Sequence, residues 1–76
     1  MNVVIRYCNS WSYRPQAFRV EEEIMSAYKD AIVDFEIGGR GDFIVEVDGK
    51  VIFSNKEHED YRFPYDGEII ELISKM

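Results

Sequence analysis

Asp48-Gly49 stands between two β-rich runs, Phe43 to Val47 and Val51 to Phe53, and this dipeptide is among the strongest short-range signals for a hairpin. A two-residue turn pairs Val47 with Lys50, Val45 with Ile52 and Phe43 with Ser54. That register sets Phe43, Val45 and Ile52 on one sheet face and Ile44, Val51 and Phe53 on the other. Both faces are apolar, so one packs on the core while the second needs cover or stays as a patch.

The rest of the chain arranges itself around this hairpin. Val3 to Cys8 reads as a first strand. Pro15 suits the first turn of a helix, where its missing N–H has no partner to lose. Apolar residues then recur at Ala17, Val20, Ile24, Ala27, Tyr28 and Ala31, with Arg19, Glu21, Glu22, Ser26 and Lys29 opposite them, so the expected helix runs from Tyr13 to Lys29. Residues 32–37 alternate, placing Val33, Phe35 and Ile37 on the buried side of a second strand. Gly38-Gly39-Arg40-Gly41 breaks that pattern as a plain turn; it leads into a strand, so it does not cradle a phosphate. Residues 55–62 are polar and read as a loop in which His58 is solvated. After Phe63-Pro64, Asp66 is the expected N-cap of a last helix whose buried stripe is Ile69, Leu72, Ile73 and Met76.

The order is β-α-β-β-β-α, an α/β (α+β) arrangement. A right-handed crossover makes the first two strands parallel, and the hairpin adds antiparallel neighbours. The expected product is a four-stranded mixed sheet backed by two helices, in one domain spanning residues 1–76.

The hydrophobic fraction of 46% supports a packed core. A net charge of −6 argues against nucleic acid and against anionic membrane surfaces as partners. No apolar stretch approaches the ~20 residues that cross a bilayer, and no cationic leader precedes the first strand. A lone Cys8 and a lone His58 make neither an internal disulfide nor a metal site. With a free thiol, the reducing cytoplasm is the expected compartment.

Cys8 is the one residue with nucleophilic redox chemistry. It lies where the first strand ends and the first helix approaches, and the partial positive charge of a helix N-terminus favours a thiolate over a thiol. Arg6 and Arg14 are near in sequence. A dithiol centre needs a second cysteine at Cys-x-x-Cys spacing, and that position is Trp11. The candidate redox-motif loop is therefore Cys8, Asn9, Ser10 and Trp11.

Several of these segments together resemble the selenoprotein W-like, or Rdx-type, family, which includes the selenoprotein T and H relatives. They are the strand into Tyr7-Cys8, Tyr13 with the first helix, Gly41-Asp42-Phe43, residues 47–54 (VDGKVIFS) and Arg62-Phe63-Pro64. The resemblance implies a thioredoxin-like fold with Cys-x-x-Cys or Cys-x-x-selenocysteine in the loop after the first strand. It also implies thiol oxidoreductase activity linked to glutathione and redox homeostasis. Cys8 matches the first redox position, and Trp11 replaces the second. The tryptophan codon UGG is one base from UGA, which specifies selenocysteine in such members.

Two functional expectations follow. One is monothiol chemistry at Cys8, with no bound cofactor and with glutathione as co-substrate or protein thiols as partners. The other is a non-catalytic module that binds a protein through the Trp11 loop, flanked by Tyr7 and Tyr13.

Overall fold

A computed structural model describes all residues from Met1 to Met76. The order is β1 (Asn2–Tyr7), α1 (Arg14–Ala27), β2 (Ile32–Ile37), β3 (Phe43–Val47), β4 (Lys50–Ser54), a short 3-10 turn (Asn55–Glu57) and α2 (Glu68–Ser74). The four strands form one sheet in the order β2-β1-β3-β4. β1 is central, parallel to β2 and antiparallel to β3. The α+β class, the parallel crossover and the mixed sheet follow the sequence expectation. No helix is long and apolar enough to cross a membrane.

Alternation in β1 turns Val3, Ile5 and Tyr7 toward the helices, where they are buried with Phe43, Val45 and Val47 of β3. Helix α1 supplies Ala17, Val20 and Ile24 to that layer, and α2 supplies Ile69 and Ile73. Helix α1 is shorter than its periodicity suggested. Tyr28 already has extended backbone (φ −129°, ψ 92°), and Ala27 is exposed. β1 likewise ends at Tyr7, which leaves Cys8 in the loop.

The hairpin turn forms as expected: Asp48 (φ 50°) and Gly49 (φ 84°) are both left-handed, the geometry of a type I′ turn. Val47 pairs with Lys50 and Glu46 with Val51, but the register then shifts, so that Val45 faces Phe53 and Ile44 faces Ser54. Ile52 is the extra residue of this bulge. The expected Val45–Ile52 and Phe43–Ser54 pairs are therefore absent, and Phe53 changes faces. The reason is volume: the shift brings the Phe53 ring into the core, edge-on to Phe43 at 6.4 Å, and leaves Ile52 half-buried.

The segment after β4 is more ordered than its polarity implied. Asn55 is fully buried; its Oδ1 accepts the Phe43 N–H at 2.9 Å and its Nδ2 donates to the Gly41 carbonyl at 2.7 Å. A carboxamide thus completes the edge of the β3–β4 ladder where the strands part. His58 stacks on Phe53 at 5.3 Å.

The N-cap of α2 is Gly67 in the left-handed region, not Asp66, whose carboxylate meets Arg19 at 3.1 Å. Its start is secured instead by Glu68. That carboxylate accepts the Tyr65 N–H at 2.9 Å and takes two bonds from Arg62, at 2.7 and 2.9 Å. Met76 lies beyond the helix and is exposed, unlike Ile69 and Ile73.

Replacing Asn55 with alanine strands a buried N–H and a carbonyl, so Asn55→Ala is expected to cost about 3 kcal/mol. Equilibrium urea unfolding checks this: the midpoint should fall with the slope unchanged.

Candidate functional site

Parallel pairing carries β1 and β2 to the same end of the sheet, and the loop from Cys8 to Tyr13 leaves from there. Cys8 donates its N–H to the Asp42 carbonyl at 2.8 Å, and Gly38 donates to the Tyr7 carbonyl at 2.8 Å. These two bonds fix the base of the loop on both sides of β1. Tyr13 closes the loop by donating to the Ser10 carbonyl at 3.0 Å, just ahead of α1.

Cys8 is half-buried and unpaired, Asn9 is exposed and Ser10 is half-buried. Trp11 is 88% exposed, so the indole does not lie over the thiol. The expected Tyr7–Trp11–Tyr13 cluster does not form. Tyr7 is buried edge-on to Phe35 at 6.0 Å, and Tyr13 packs edge-on to Phe63 at 4.9 Å. Trp11, in the turn ahead of α1, instead sits beside Pro15 and Phe18 of that helix. With Asn9, Ser10 and Arg14 they line a shallow groove of about 350 Å³, with Cys8 outside that lining.

The two nearby cations are engaged elsewhere. Arg6 bonds Glu36 at 3.0 Å and reaches Glu46 at 3.4 Å on the open sheet face. Arg14 donates to the Asn9 side-chain Oδ1 at 3.5 Å and so braces the loop.

The group that sequence reasoning missed is the support beneath Cys8. Asp42 is buried; one carboxylate oxygen accepts the Gly39 N–H at 2.8 Å and the other lies 2.5 Å from Lys56 Nζ. The Lys56 ammonium, with help from the Gly39 N–H, holds the Asp42 carboxyl below its ordinary value of 3.8 against the opposing effect of burial. The same pairing raises Lys56 above 10.5. Space is tight here: a Cβ built on Gly38 would lie 2.8 Å from Arg6 Cγ and 3.1 Å from Asp42 Cβ. An aspartate closing a glycine turn was the available signal; its lysine lies across the hairpin, beyond any local pattern.

The fold is thioredoxin-like, with one half-buried sulfur in the loop that follows β1. The chain belongs to the Rdx family, whose model matches residues 2–75. Migration and invasion enhancer 1 from Bos taurus is 25% identical and its Mus musculus counterpart 24% identical, each over 75 residues. The match covers 99% of this chain but 64% of each relative, so the chain spans just under two thirds of their length. A selenoprotein W-related protein from Vibrio cholerae superposes with a TM-score of 0.84 at 17% identity, covering 97% of this chain and 92% of the other. A Bordetella parapertussis protein gives 0.77 at 18% identity, covering 97% and 94%. At those identities the likeness is one of fold.

Two outcomes test this description. Trp11 is the single tryptophan, so emission should resemble free indole and be readily quenched by iodide, and Trp11→Ala should change unfolding stability by less than about 0.5 kcal/mol. The Asp42 carboxyl is depressed in the folded state, so its stabilisation is complete above its ordinary value of 3.8 and is lost as pH falls through the lower folded value. The stability gap between the native chain and Asp42→Asn, followed by urea unfolding across pH, should be widest near neutrality and close in strong acid.

Proposed function

We propose that this protein carries out monothiol redox exchange at Cys8, with glutathione as co-substrate and the reducing cytoplasm as its setting. The observation that carries the reading is a single half-buried thiol, anchored through its own N–H at the head of the loop and left uncovered by Trp11. Asn9, Ser10 and Trp11 shape the loop around it. The chemistry needs no cofactor.

In the first step the Cys8 thiolate attacks one sulfur of a disulfide, such as a glutathionylated protein. A mixed disulfide forms between Cys8 and glutathione, and the protein thiolate leaves. A resolving cysteine would normally displace this adduct, but residue 11 is tryptophan. Glutathione from solution attacks the glutathionyl sulfur instead. It releases the Cys8 thiolate and forms oxidised glutathione, so electrons and protons balance without a third component.

Exposure of Trp11 favours a second reading, in which the loop binds another protein and Cys8 is idle. Single-turnover mixing with oxidised glutathione, followed by intact mass, separates the two. The first reading expects one glutathionyl adduct, absent in Cys8→Ser, formed at least about tenfold faster than in the same chain unfolded in denaturant. A rate no greater than that of the unfolded chain would leave the thiol unactivated and overturn the redox reading.

A further inference from the structure

The two edges of the sheet are unlike. β4 is short, bulged and carries Lys50, devices that discourage edge pairing. β2 runs for six residues in unbroken register with β1 and has no bulge, proline or lysine. Ile32 donates to the Met1 carbonyl at 3.0 Å and Gly38 to the Tyr7 carbonyl at 2.8 Å, so the even-numbered residues of β2 face β1. In a parallel ladder the intervening residues direct both backbone groups the other way. The N–H and C=O groups of Val33, Phe35 and Ile37 therefore point off the sheet.

Side chains along this edge sort by face. On the helix side Phe35 meets Phe18 edge-on at 5.4 Å, next to the groove holding Trp11 and Pro15, and Ile37 is 58% exposed. On the open side Asp34 has no ion pair, and Arg6 is shared between Glu36 and Glu46. Charges thus alternate across the sheet as Glu46, Arg6, Glu36, and the next place outward calls for a cation.

We propose that the β2 edge accepts an extended segment of another protein in which apolar residues alternate with lysine or arginine. Its backbone pairs with Val33, Phe35 and Ile37. Its apolar side chains continue the Phe35–Phe18–Trp11 surface, and its cations meet Asp34 and Glu36. A second copy of this chain is a poor occupant: antiparallel registers that overlap most of β2 and keep its apolar face together set Asp34 or Glu36 against another acid. This surface goes beyond the proposed Cys8 chemistry and does not depend on it.

The probe is a capped peptide of about seven residues alternating valine with lysine and arginine, added to the full chain and followed by amide hydrogen exchange and Trp11 fluorescence. Exchange at Val33, Phe35 and Ile37 should slow at least about tenfold, with little change at Ile32 and Gly38. Trp11 emission should move to shorter wavelength. Asp34 is exposed, so Asp34→Lys should keep the native circular dichroism and weaken binding roughly tenfold. A peptide with glutamate in place of the cations should not bind. Equal binding of both peptides, or protection confined to other elements, would overturn the proposal. Protection of the same three amides by raising protein concentration alone would also overturn it, since the occupant would then be a second copy.

Discussion

The hydrogen bond from Cys8 N–H to the Asp42 carbonyl extends the pairing of β1 with β3 one residue beyond the strand. The loop's position depends on it. With that bond made, the backbone leaves the sheet at a fixed point and the thiol stays at the sheet's end. Asp42 can serve as an anchor because its own side chain is tied down, by Lys56 from beyond the hairpin and by the Gly39 amide. The bulge in β4 belongs to the same arrangement: by drawing Phe53 inward it brings Asn55 under the start of β3, next to Gly41 and Asp42. The site therefore rests on a chain of support reaching from the hairpin to the thiol.

Charge has a structural distribution as well as a total. Acidic residues outnumber basic ones, yet most arginines are spent inside the fold: Arg6 spans the sheet, Arg19 joins Glu23 and Asp66, and Arg62 grips Glu68 beneath Tyr65. The surface left over is acidic and aromatic, which sets what can approach it.

Much of the architecture was legible in the residues. Periodicity fixed the element order, and the Asp48-Gly49 turn pinned the hairpin's closing pair. What failed has a common cause. Alternation could not show that Ile52 would be bulged, because both faces of the hairpin are apolar and only the ring volume of Phe53 decides between them. Asp66 looked like a cap because the competing partner, Arg19, is distant in sequence. Asn55 looked like loop because a buried carboxamide has the composition of an exposed one. At the site, position 11 was readable as the departure from a dithiol motif. The partners of its indole were not, since Tyr7 and Tyr13 answer to core packing. Nor was the groove legible, since Trp11 lies in the turn ahead of α1 and comes beside Pro15 and Phe18 only once the loop has folded.

Gly38 occupies ground where two separate structures almost touch. On one side is the Arg6 stem, which holds the glutamates of the outer sheet surface; on the other is Asp42, whose carbonyl steadies the thiol. Only a hydrogen atom fits between them. Even a methyl group inserted there would press on both at once, so a disturbance of the bare sheet surface and a displacement of the sulfur would arise from one cause. The absence of a side chain at this position is what lets the two regions lie back to back.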